Sequence, residues 1–182
     1  MESSELAESK AISQKKQGEN QQPPRIVVLG VGNLLLRDEG VGVHLVQRLK
    51  ATNRQYSNVE FIDAGTSMNI PAIIDRVDKL IILDAVNGGK EPGTVYHFDL
   101  DQIDHRWNTP LSFHQLGILD TLRILELLGK KPKDIVVIGI EPKLIDWGTE
   151  LTPEIEAKLP QILKLVEEEI NETAKCIQEV KE

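Results

Sequence analysis

The sequence predicts an α/β domain of three layers, helices on either side of a mainly parallel sheet, and three observations carry that prediction. Past residue 24, short apolar runs alternate with segments of helical periodicity, the pattern of successive βαβ units. Three of the runs, IVVLGV at 26–31, KLIILDA at 79–85 and DIVVIGIE at 134–141, are apolar almost throughout. Such runs need burial on both faces, so they are expected as central parallel strands. The run TVYHFDL at 94–100 alternates instead and follows the turn KEPGT, so an edge strand is expected there, antiparallel to its neighbour.

The elements follow in order. Residues 1–24 are polar and rich in Gln, Ser and Lys, too poor in apolar side chains to form a core, and are expected to be a disordered tail. They contain no apolar segment of the kind that makes a secretory signal or a membrane anchor. One domain is expected over 25–175. After the strand at 26–31 comes a helix at 39–51, whose Val43, Val46 and Leu49 share a face, then a strand at 59–63 and a helix at 69–77. Beyond the strands at 79–85 and 94–100, a helix at 115–129 carries Leu116, Leu119, Leu122, Leu125 and Leu128 and ends at Gly129, with Pro132 soon after. The last helix, 153–175, opens with Thr152 as cap and Pro153 in its first turn, and 176–182 are expected to fray.

Composition excludes several function classes. The formal net charge is −8, and no window gathers the Lys and Arg that bind a phosphate backbone, so nucleic acid is not an expected partner. No apolar run reaches the roughly 20 residues of a membrane span, and the single cysteine, Cys176, has no second thiol for a disulfide or a metal cluster. A cytoplasmic protein is the expectation. A dinucleotide fingerprint is broken at Leu35, where a small residue is needed. There is no phosphate loop, no Gly-x-Ser-x-Gly elbow and no pair of histidines at the helical spacing of zinc peptidases.

The segment GVGNLLLRDEGVG, Gly30 to Gly42, is the strongest site signature. Its glycines let the chain turn as it leaves a strand, and Asp38 and Glu39 then stand at the rim where such sheets bind ligands. Acidic residues also suit the first turn of any helix, so the pair alone is ambiguous. Three more candidates fall at strand ends or before helices. Asp63 precedes AGTS, where it would serve equally as a turn cap. Asp84 ends a buried strand, where a carboxylate needs a partner, and His114 precedes the long helix. Glu39, Asp84 and His114 together would make an oxygen- and nitrogen-rich site for a borderline divalent ion such as nickel or zinc. His44, His97 and His105 are read as structural or surface residues.

With GVGNLLLRDEGVG, DAGT, ILDAVNGGKEPGTV, SFHQLG and GIEP in that order, the chain resembles the hydrogenase maturation endopeptidases, from about Ile26 to Leu159. The resemblance implies a twisted five-stranded sheet with helices on both faces. It implies a protease that removes a C-terminal extension from the nickel-loaded precursor of a nickel-iron hydrogenase large subunit. Glu39, Asp84 and His114 match the family's metal-binding cluster, and on this view they grip nickel carried by the substrate, with no permanent cofactor. Asp63 matches a further acidic motif, here DAGT where DGGT is commoner, which puts the local turn in question. Metal-positioned hydrolysis assisted by Asp63, or with Asp38 as the base, is the expected chemistry. A monomer that meets its substrate transiently is expected. The competing reading is a docking module that binds the loaded precursor without cutting it.

Overall fold

A computed structural model describes residues 25–52, 56–66, 77–99 and 122–179, with side chains through 172. The tail at 1–24, residues 69–76 of the helix expected at 69–77, residues 115–121 of the next helix, and His105, Trp107 and His114 lie outside the described residues; Val77 is buried and not helical.

Five strands form one sheet: β1 (Ile26–Val31), β2 (Val59–Gly65), β3 (Lys79–Ala85), β4 (Val95–Asp99) and β5 (Asp134–Ile140), in the order β2-β1-β3-β5-β4. All pairings are parallel except β4 with β5. The three continuously apolar runs therefore occupy the three inner positions, and the alternating run is the antiparallel edge. Helix α1 (Val41–Ala51) follows β1, residues 122–127 are helical, and α2 (Pro153–Glu179) closes the chain, running past the expected end at 175.

Alternate residues of each inner strand face opposite cores, which is why these runs carry no polar side. Ile26, Val28, Ile81, Leu83, Ile138 and Ile140 pack under α1 and α2. On α2 the residues Ile155, Leu159, Ile162, Val166 and Ile170 recur at steps of three and four, one helical stripe. Val27, Leu29, Leu80, Ile82, Ile135 and Val137 face the other way, against Leu122 and Leu125. Among the described residues, no helix is long and apolar enough to cross a membrane.

A partly buried ionic network ties the sheet to α2. Lys79 Nζ reaches Asp134 Oδ2 at 2.9 Å and Glu169 Oε1 at 2.5 Å, and Glu169 Oε2 lies 2.7 Å from His97 Nε2. Burial pushes the Glu169 carboxyl up, but its bonds to Lys79 and His97 outweigh this and hold it below its ordinary 4.5. A carboxyl lowered by folding contributes stability that is present above the unfolded-chain value and is lost as pH falls through the folded one. Unfolding free energy is thus expected to fall below about pH 4.5, and urea titrations of Glu169→Gln are expected to show a shallower acid limb than wild type.

Candidate active site

The sheet order creates a switch point. From β1 the chain moves to β2 on one side, while β3, on the other side of β1, leads away toward β4 and β5. Loops leaving the carboxyl ends of two such strands diverge and open a crevice between them. Glu39 lies in the turn after β1 and Asp84 near the end of β3, so the fold sets these two expected site residues at the carboxyl ends of adjacent strands.

Glycine makes the approach close enough. A Cβ on Gly42, in the first turn of α1, would collide with the carbonyl oxygens of Leu83 and Val31, and one on Gly30 would collide with Gly42 O. The helix start thus rests on the ends of β1 and β3 with no side chain between. Gly32, at φ 139°, makes the turn out of the strand, and Glu39 O occupies the space its side chain would fill. The acidic pair itself lies in a 3-10 turn, Arg37–Gly40, and not in the first turn of the α-helix as the periodicity had suggested. That turn packs directly against β3.

Two adjacent carboxylates meet opposite environments here. Asp38 is fully buried. Its Oδ2 accepts from the amides of Lys143 and Leu144, both at 3.0 Å, and from the Thr152 hydroxyl at 2.9 Å, while Oδ1 accepts from Thr152 N at 2.7 Å. The Thr152 hydroxyl expected to cap α2 is directed to Asp38. With four donors on its two oxygens, three of them on Oδ2, Asp38 fastens the 143–152 segment to the rim, and only Oδ1 keeps acceptor capacity for the base role expected of it. Glu39 is half-buried, and its carboxylate takes no hydrogen bond among the described residues. Replacing Asp38 by Asn turns one acceptor into a donor facing donors. Asp38→Asn is expected to cost about 2 kcal/mol in urea unfolding and to speed amide exchange at 143, 144 and 152.

Asp84 is fully buried, and its Oδ1 accepts from Ala85 N at 2.8 Å. It shares the register of Leu80 and Ile82, so it stands on the face of the sheet away from α1. Asp63 is exposed at the end of the edge strand β2. Its Oδ1 accepts from Gly65 N at 3.0 Å and its Oδ2 from Gln47 Nε2 of α1 at 3.3 Å. Asp63 therefore lies on the α1 face, with β1 between it and Asp84, so the two do not form one cluster. The turn in question at DAGT is sound. The register of β2 on β1 skips Ala64, a bulge, and the positive φ of 53° falls on Gly65. Alanine is unstrained at its position.

Several supporting residues escaped the sequence reading. Glu141, just past β5, accepts from Gly88 N at 2.8 Å, Gly89 N at 3.2 Å and the Tyr96 hydroxyl at 2.5 Å, fixing the loop that leaves β3 after Asp84. Burial raises the Glu141 carboxyl, but the Tyr96 hydroxyl and the amides of Gly88, Lys90 and Gly89 hold it below its ordinary value. Burial and the bond to Glu141 together push Tyr96 up to about 12. The available signal was an acid directly after an apolar strand, the same pattern that marked Asp84. His44, read as structural, is pushed below its ordinary value by burial, and its Nε2 is buried without a hydrogen-bond partner among the described residues. Arg37 holds a left-handed φ of 52°, and its guanidinium lies over Gly148, where a Cβ would be 2.9 Å from Nε.

A family model described as hydrogenase maturation protease matches residues 43–169. The Hydrogenase 2 maturation protease of Escherichia coli K12 is 36% identical over 144 residues, covering 78% of this chain and 88% of that protein. The chain belongs to the hydrogenase maturation protease family. It is similar as well to the hydrogenase expression/formation protein HupD of Thiocapsa roseopersicina, at 36% identity over 78% of this chain and 66% of that one. Among solved structures, the hydrogenase maturating endopeptidase HybD from E. coli superposes with a TM-score of 0.76 at 34% identity, covering 82% of this chain and 93% of that chain. The HybD of Thermococcus kodakarensis superposes at 0.68 with 29% identity, over 79% and 97%. This maturation protease is thus a peptidase of five-stranded α/β fold. The matched segment holds Asp63, Asp84 and His114 and begins just beyond Asp38 and Glu39. Among the described residues of the maturation protease, no three metal-binding side chains come together.

Proposed function

We propose that this protease removes a C-terminal extension from the nickel-loaded precursor of a nickel-iron hydrogenase large subunit. The observation that supports this most directly is the placement of Glu39 and Asp84 on either side of the switch point between β1 and β3. Carboxylates suit a borderline divalent ion, and imidazole from His114 would complete a mixed oxygen and nitrogen set. The nickel is the substrate's cargo in this reading, and the grip on it brings the precursor chain to the rim.

Of the two aspartates considered for proton transfer, Asp63 is exposed at the rim, whereas Asp38 spends most of its acceptor capacity on the 143–152 segment. We therefore give Asp63 the task of taking a proton from water at the scissile bond, and Asp38 a positioning role. The chain acts in this reading as a cytoplasmic monomer.

Mass spectrometry of a large-subunit precursor incubated with the protease, once nickel-loaded and once nickel-free, tests the proposal. Release of a C-terminal peptide from the loaded precursor alone is the expected result. Equal release from both would remove nickel from recognition, and capture of an intact precursor would indicate docking without cleavage.

A further inference from the structure

We infer that the ledge formed by residues 35–37 and 144–148 is where an apolar, extended segment of the substrate chain seats beside the cleavage site. This rests on the peptidase reading above and adds to it a surface for the polypeptide, distinct from the grip on nickel. Leu35 is 55% exposed, Leu144 45%, Ile145 47% and Trp147 75%. Of the seven large hydrophobic side chains exposed among the described residues, these four fall in two short loops that touch. A side chain left in water has no stabilising reason to be a leucine or a tryptophan, and a patch of them marks a surface that another molecule covers.

The two loops form a fixed platform. Leu36 and Gly148 form a parallel bridge, in which Arg37 N donates to Gly148 O at 2.9 Å and Gly148 N donates to Leu35 O at 3.0 Å. Asp38 holds Leu144 N from below at 3.0 Å, and Asp146 Oδ1 accepts from Trp147 N at 2.7 Å. Backbone groups on both sides are therefore engaged inward while the apolar side chains are presented outward. Such preorganisation lowers the ordering cost of binding.

Position selects the occupant. The ledge runs without interruption into Glu39, two residues beyond Arg37, so whatever lies on it extends to the crevice. A chain gripped at the crevice must cross the ledge or the opposite rim. Arg37 adds a cation at the seam, its guanidinium lying over Gly148. A large aromatic such as Trp147 is the residue type that most often carries binding energy at an interface.

The test compares wild type with Trp147→Ala, Ile145→Ser/Trp147→Ala and Trp147→Phe on nickel-loaded large-subunit precursor, reading KM and kcat separately. The double variant is expected to raise KM at least about tenfold with kcat within about twofold, and Trp147→Phe to recover most of the loss. An unchanged KM overturns the ledge and leaves the peptidase reading standing. Emission of Trp147 in a Trp107→Phe background gives an independent readout. A blue shift on adding precursor supports the ledge even where no peptide is released, a result that would instead overturn the peptidase reading. No shift with a precursor that is cleaved overturns the ledge. So does a concentration-dependent dimer abolished by Trp147→Ala, which would assign the patch to a second copy.

Discussion

Asp84→Asn is expected to lower the rate of peptide release from nickel-loaded precursor by at least about 100-fold while leaving the fold intact. The substitution is nearly isosteric, and an amide oxygen accepts from Ala85 N as the carboxylate does, so this bond at the end of β3 is kept. What it removes is the negative charge at one wall of the crevice. Changes one layer out from a metal commonly cost 10–100-fold in affinity or activity, so if Asp84 grips the nickel as proposed, neutralising it is expected to reach the upper end or pass it. Glu39→Gln removes the charge from the other wall and is expected to act in the same direction. Because the Glu39 carboxylate takes no hydrogen bond among the described residues, the urea midpoint of Glu39→Gln should not move. The comparison is made by initial rates from mass spectrometry alongside urea unfolding. Near-wild-type cleavage by Asp84→Asn would make Asp84 a structural carboxylate and remove it from the grip on nickel.

The architecture was legible from the strands because their physics is one-dimensional. A run such as Lys79–Ala85, apolar at every position but its first and sixth, has no polar side to give to water, so its central place in the sheet follows from its letters. The rim was legible only in part. Asp38 and Glu39 are neighbours of the same chemistry, and nothing local distinguishes them. Their difference is created by Lys143, Leu144 and Thr152, more than 100 residues away, which deliver their donors to one carboxylate and not the other. Asp63 and Asp84 both end strands and read alike. The parity of each in its strand, together with the Gln47 contact, sends them to opposite faces. Glu141 went unassigned although it follows an apolar strand as Asp84 does, because its role depends on where the 86–94 loop folds back. The third small residue sought at Leu35 exists in function at Gly42, displaced by the 3-10 turn that the periodicity did not resolve.

Gly42→Ala is expected to destabilise the protein by about 3 kcal/mol or more and to disable cleavage. Taken as a helix residue alone, the change should help, since alanine is favoured over glycine by up to about 1 kcal/mol in a helix interior. The sign is decided by what surrounds it. A Cβ here would collide with Leu83 O and Val31 O, closer than the 3.0 Å that real Cβ atoms keep. Both obstacles are backbone atoms of inner strands, Leu83 paired on both sides and Val31 paired with Gly65 of β2, so neither can rotate aside as a side chain would. Overpacking usually costs about 1–3 kcal/mol where neighbours can adjust, and a site walled by backbone belongs at or above the top of that range. The helix can relieve the clash only by lifting off the strand ends, and the 3-10 turn that carries Glu39 is joined to its first residue. Relief therefore moves Glu39 away from Asp84, coupling the stability loss to a loss of activity. Gly89→Ala is the matched control, because its φ of 76° imposes the usual strain on alanine but nothing lies within 4 Å of the added methyl. It is expected to cost about 1 kcal/mol. Equal shifts in urea midpoint for the two variants would show that α1 does not depend on close contact with β1 and β3. A Gly42→Ala protein that unfolds early and, where still folded, leaves loaded precursor uncut would tie the glycine to the geometry of the crevice.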